Sequence, residues 1–120
     1  MKTIIWTIGL LLLLTSCDYE WPYSYIVTNS TDTTIKVYVK TFDIDSIFII
    51  KKDSIKTLFH LNHGIEGSKG PYFRDVNKDL NKFEIIKNDT IKSKRNYLKN
   101  DAWTFNDGRY STTVTNDEFK

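Results

Sequence analysis

One cysteine, Cys17, and one alanine, Ala102, serve a chain of 120 residues. A lone cysteine excludes any intramolecular disulfide, the usual staple of small exported domains, so the fold must be held by its core. The want of alanine, the best helix former, argues against a helical domain, and abundant Ile and Thr favour pleated sheet. An excess of one charge is lacking too. The 17 basic residues face 15 acidic ones, which leaves no electrostatic footprint for nucleic acid. No Gly-x-Ser-x-Gly elbow, phosphate loop or dinucleotide fingerprint occurs. No segment has the length and polarity of a disordered linker, so a second domain is not expected.

The one long apolar run, Thr3 to Leu14, follows a single positive charge at Lys2 and gives way to small residues just before Cys17. That is the build of a secretory signal, too short to cross a hydrocarbon core of about 30 Å. The string Leu14-Thr15-Ser16-Cys17 resembles the lipobox of bacterial lipoproteins. The resemblance implies that Cys17 receives a diacylglyceryl group, becomes the acylated N-terminus after cleavage, and ties the protein to a membrane. Three acyl chains would make that attachment effectively permanent. It also removes the only thiol nucleophile. The expected organisation is therefore a cleaved signal-peptide helix over residues 1–16, a short lipidated tether over 17–22, and one β-rich domain over 23–120. The 104 residues left after cleavage are enough for a modest core.

Period-2 patterning predicts about eight short strands in that domain, hence a small antiparallel β-sandwich or a partly open barrel. Residues 23–29 read as the first strand. Residues 34–42 alternate most cleanly, with Ile35, Val37 and Val39 on one face and Lys36, Tyr38 and Lys40 on the other. Residues 46–51 are apolar on both faces, which predicts a strand in the middle of the fold or beneath a loop. In residues 54–61, Ile55, Phe59 and Leu61 should point inward. Val76 and Leu80, four apart, predict one or two helical turns. Lysine-rich residues 90–95 suit a blunted sheet edge. Asp107-Gly108 predicts a two-residue hairpin, with Trp103, Phe105, Tyr110 and Val114 supplying core. Thr115 reads as the cap of a short terminal turn. Phe48 to Lys56 and Glu84 to Lys92 agree at six of nine positions and read as two hairpin tips built the same way.

Asp-hydroxyl-β-branched triplets start several of these strands, placing Thr33, Ser46, Ser54 and Thr90 directly after an aspartate. They resemble the acceptor motif of a general O-glycosylation system on exported proteins of some Gram-negative bacteria. The competing explanation is that aspartate accepts local backbone hydrogen bonds in turns. Gly64, Gly67 and Gly70, with Tyr72 and Phe73 behind them, form a candidate binding loop that could present rings to a glycan or protein. Trp21, Tyr23 and Tyr25 are a second aromatic set, beside the anchor. His60 and His63, with Glu66, are the only metal-ligand pattern. Residues three apart on a strand face opposite ways, so no metal and no cofactor is expected. Aspartates and serines fall at turns, where capping explains them, so no catalytic residues are assigned.

The mature chain is similar in layout to small β-rich lipoproteins of Gram-negative bacteria. The likeness rests on the lipobox, on Ile26-Val27-Thr28-Asn29, on the Asp-Ser-Ile strand starts, and on Tyr110 to Thr115 followed by Asp117-Glu118-Phe119. It implies an address in the cell envelope, lipid-anchored at the outer membrane, with the side left open. It carries over no catalytic residues, and the function expected from the residues is a non-enzymatic binding or envelope-assembly module whose partners are the membrane and an envelope protein or glycan. The alternative is an inhibitor or immunity lipoprotein acting on a hydrolase or toxin.

Overall fold

The computed structural model describes residues 18–66 and 71–120, with side chains for all of these except residues 18, 19 and 64–66. The expected signal peptide and the expected lipid attachment at Cys17 fall on residues outside those described. Eight strands follow in order: β1 (Asp18–Asn29), β2 (Ile35–Thr41), β3 (Asp45–Ile50), β4 (Ile55–Glu66), β5 (Leu80–Lys87), β6 (Ile91–Lys92), β7 (Thr104–Asn106) and β8 (Arg109–Val114). A single helical turn, α1 (Val76–Asp79), leads into β5. The strands form two four-stranded sheets, ordered β4-β1-β8-β7 and β3-β2-β5-β6. The domain is an all-β sandwich, which decides against the barrel.

The expected wholly antiparallel pairing holds except at one place. β1 and β8 run parallel, Ser24 opposite Arg109 through Asn29 opposite Val114. Parallel neighbours need a long connection, and here nearly the whole domain supplies it.

β1 begins five residues before the predicted strand, and residues 18–22, read as tether, pair with Glu66 back to Asn62 of β4. The inward series explains the extension. Trp21 is half-buried, and Tyr23, Tyr25, Val27 and Asn29 behind it are buried. Tyr23 and Tyr25 are therefore core rather than exposed rings near the anchor. Tyr25 stacks on Tyr110 at 4.6 Å between centroids and meets Trp103 edge-on at 5.2 Å. Such pairs add about 0.5–1.5 kcal/mol each beyond the area they bury.

β2 follows its predicted alternation, with Ile35, Val37, Val39 and Thr41 buried. β3 does not lie mid-fold. It is the outer strand of its sheet, because the chain after it leaves for the other sheet instead of pairing back. Phe48 and Ile50 point inward, while Ile47 and Ile49 stand 57% and 58% exposed. In β4 the ladder slips between Tyr25 and Ile26, whose partners are Phe59 and Thr57, so Leu58 is an extra residue. Leu58 and Phe59 are both buried. The bulge reverses the alternation on its far side. Ile55, expected inward, is 70% exposed, while Leu61 packs on the core as expected.

The two similar nonapeptides make different connections. Glu84 to Lys92 is a hairpin between β5 and β6, whereas Phe48 to Lys56 is a corner between the sheets. Both turn on left-handed residues, Asp53 at φ 60° and Asn88 and Asp89 at 52° and 62°. β6 is an edge strand, as its lysines predicted. Asp107 and Gly108 both have positive φ in the β7–β8 hairpin, and Trp103, Tyr110 and Val114 are buried. At the C-terminus a 3-10 turn (Asn116–Phe119) is closed by Glu118, whose carboxylate accepts the Thr115 N–H at 2.9 Å. Glu118 also accepts from Ser93 and Tyr97.

Candidate functional site

Val76 and Leu80 are buried as their spacing predicted, but the turn they define carries a third buried residue, Asp79. Asp79 is the one charged residue in the core among the described residues, its side chain 2% exposed. A carboxylate this deep is tolerable only when its oxygens are occupied. Oδ2 accepts the Tyr25 hydroxyl at 2.8 Å. Oδ1 accepts Nε of Arg74 at 3.1 Å. Nε2 of His63 lies 3.0 Å from the same Oδ1, without the geometry of a hydrogen bond.

Residues 72–74 are held against this cluster by two core tyrosines. The Tyr23 hydroxyl donates to the carbonyl of Tyr72 at 2.7 Å. The Tyr110 hydroxyl receives the Arg74 N–H at 2.8 Å and donates to the Arg74 carbonyl. Burial pushes the Tyr110 hydroxyl up to about 12, and raises Tyr23 as well. Tyr25 is raised further, first by burial and then by the Asp79 carboxylate it serves. All three are neutral hydrogen-bond donors near neutral pH.

The pinned segment turns its rings outward. Tyr72 is 52% exposed, and Phe73, 48% exposed, rests edge-on against Phe105 at 5.6 Å. They wall a cleft of about 310 Å³ whose other residues are Tyr23, His63, Arg74, Asp75 and Lys78. A second cleft of about 340 Å³ shares His63, Arg74 and Lys78 and is lined as well by Phe42, Asp43, Asn62 and Asp79. Phe42, in the β2–β3 turn, is 95% exposed. The described hydrogen bonds of the Arg74 side chain use Nε alone. Arg74, Lys78 and His63 thus form a polar ridge between two aromatic-edged hollows, with Asp79 fixing the arginine from below. This arrangement can hold a polar ligand by hydrogen bonds and stack its flat faces. Among the described residues it sets no nucleophile beside a base, and each Asp79 oxygen already accepts a hydrogen bond.

Both clefts lie toward the Asp18 end of β1, since Trp21 pairs with His63 and Tyr23 with Leu61. Of the candidate binding loop, Tyr72 and Phe73 line the cleft. Gly64 instead belongs to β4, paired with Glu20, and Gly67 and Gly70 lie outside the described residues. Because β4 continues through Glu66, His60 and His63 face opposite ways. His60 lines a separate cleft of about 370 Å³ with Trp21, Pro22 and Arg109. Among the described residues no cluster of metal-ligand side chains occurs. Thr33, Ser54 and Thr90 sit in the turns at the far end of the sandwich, and Ser46 opens β3 at the near end. Ser46 and Thr90 are exposed, Thr33 and Ser54 half-buried. Arg74, Asp79 and Phe42 carried no sequence signal. Asp79 meets Tyr25 across 54 positions of chain, a contact no local pattern announces.

No protein-family model, curated protein or solved structure matches the chain. No described helix is long and apolar enough to cross a membrane.

Proposed function

We propose that this protein is a non-enzymatic binding module of the bacterial cell envelope, held at the outer membrane by a lipid on Cys17, with its ligand-binding surface at the aromatic-edged ridge of Arg74, Lys78 and His63. One observation carries the binding reading. The backbone of residues 72–74 is fastened by two core hydroxyls, so Tyr72 and Phe73 are presented outward without needing to be ordered on binding. Rings fixed in advance lose little entropy when they meet a partner. Aromatic faces beside mixed hydrogen-bonding groups suit the sugar rings of an envelope glycan or a polar protein surface. The absence of an enzymatic role is part of the same proposal, and it is supported by an Asp79 carboxylate committed to three neighbours.

The anchor reading is supported by the lipobox and by where the chain enters the fold. β1 starts at the residue after Cys17, so an acylated cysteine would hold the near end of the sandwich, and its clefts, close to the bilayer. Intact mass of protein from its native host tests the anchor: cleavage before Cys17 and added acyl mass are expected. Crosslinking and affinity recovery from native membranes test the binding. Wild type should recover a partner or glycan that the Tyr72→Ala and Lys78→Ala variants lose while remaining folded. Equal recovery by wild type and both variants would refute the site. Recovery of a hydrolase or toxin would move the role to inhibition.

A further inference from the structure

Three of the four sheet edges carry a device against pairing with another chain. β6 has two residues and is followed by Ser93, Lys94 and Arg95. β7 has three residues. β4 is bulged at Leu58 and sets Lys56 and His60 along its length. Short, charged or bulged edges are the ordinary defences of a sheet. β3 has none of them beyond Asp45 at its first position. It runs six residues without a bulge in its β2 pairing, from Asp45 opposite Lys40 to Ile50 opposite Ile35, and holds no lysine, proline or glycine. Its outward residues Ile47 and Ile49 are more than half exposed.

We propose that β3 docks a second copy of this chain, antiparallel, joining two four-stranded sheets into one of eight strands. The sequence of the edge selects the occupant and the register. With Phe48 opposite Phe48 of the second copy, Ile47 meets Ile49 twice and Asp45 meets Lys51 twice. Strand periodicity puts all four of these residues on the outer face. Both Asp45 and Lys51 are exposed and so available to pair. Sliding by two residues one way sets Ile47 against Lys51 and Asp45 against Asp53, and sliding the other way sets Ile49 against Asp45 and leaves Lys51 only Asp43, which lies in the turn before the strand. The edge is therefore self-complementary, as a two-fold interface requires. Opposite charges and β-branched pairs are the cross-strand contacts that stabilise such a ladder. The pairing uses neither the clefts nor the anchor, so it stands independently of the proposed function.

Sedimentation of the full chain in detergent, with native mass spectrometry, tests it. Wild type is expected to dimerise. Ile47→Lys, at an exposed position opposite Tyr38 in β2, should raise the dissociation constant at least tenfold without changing the circular dichroism. Asp45→Lys and Lys51→Asp should each weaken the dimer severalfold, and the double exchange should restore it. A monomer at the highest soluble concentration overturns the proposal. So does a dimer indifferent to Ile47→Lys, a double exchange that fails to recover, or a crosslink at β3 to a protein of another mass.

Discussion

Asp79→Ala should cost this domain about 3–4 kcal/mol, most of it from groups the substitution leaves behind. The carboxylate is buried and meets three neighbours, the Tyr25 hydroxyl at 2.8 Å, Arg74 Nε at 3.1 Å and His63 Nε2 at 3.0 Å. The Tyr25 ring is fully buried, and its hydroxyl would lose the Asp79 carboxylate as its partner. An orphaned buried donor costs about 1–3 kcal/mol. Arg74 is different. Its side chain is 39% exposed, so solvent screens it and its loss counts for about 1 kcal/mol or less. The void left by the removed carboxylate adds a smaller cavity term.

Equilibrium unfolding in urea reads the effect directly. For a domain of this size m is about 1–3 kcal/mol/M, so the midpoint should fall by about 2 M. Two companions apportion the loss. Asp79→Asn keeps an acceptor for Tyr25 and should lose about half as much. Tyr25→Phe removes the donor and should cost about 1–2 kcal/mol. Combined with Asp79→Ala, Tyr25→Phe should win back part of the loss, because it deletes the hydroxyl that Asp79→Ala orphans. A loss below about 1 kcal/mol for Asp79→Ala, or additive losses in the double variant, would refute the account of Asp79 as the clasp between α1 and β1.

Asn29→Ala should be comparably severe, about 3 kcal/mol in the same assay, because its amide donates to Thr33 O and Ile50 O, both at 2.9 Å, and its carbonyl accepts Thr31 N–H and hydroxyl. Gly108→Ala should lower the melting temperature by several degrees, since Gly108 sits at φ +80° and an added Cβ would lie 2.7 Å from the Pro22 carbonyl oxygen. Stability should fall steeply as pH rises above 10. Tyr23, Tyr25, Tyr97 and Tyr110 are all raised on folding, so the unfolded chain releases protons that the folded one keeps, and the folded state loses ground from pH 10 upward, to about 12 in the case of Tyr110. Denaturation midpoints that stay level from pH 9 to 12 would contradict this.

Local structure in this chain was legible wherever one element decides it. The alternation in β2, the Asp107-Gly108 turn, the lysine edge of β6 and the Val76–Leu80 turn all follow from a few neighbouring residues, and all four are found. What escaped depends on choices made across the chain. Phe48-Ile49-Ile50 and its near copy at Glu84-Ile85-Ile86 carry the same pattern, yet one strand is central and the other marginal. The difference lies in the turn that follows. After Lys87 the chain doubles back to pair, and after Lys51 it crosses to the other sheet, where Asn29 draws it in by accepting the Asp53 N–H at 3.0 Å and donating to the Ile50 carbonyl at 2.9 Å. That crossing strips β3 of a neighbour and exposes Ile47 and Ile49. The site follows the same logic. Tyr72 and Phe73 could be picked out by composition, but what makes them a rigid surface is Tyr23 and Tyr110, each supplied from a strand that is remote in sequence. A buried asparagine at one end thus helps decide which strand is left open, while at the other end two tyrosine hydroxyls fix the rings and a buried aspartate fixes the arginine between the clefts. Asn29→Ala should accordingly disturb the β3–β4 corner and the β3 edge before it disturbs the clefts, and Asp79→Ala the reverse, a separation that amide exchange in the two variants would resolve.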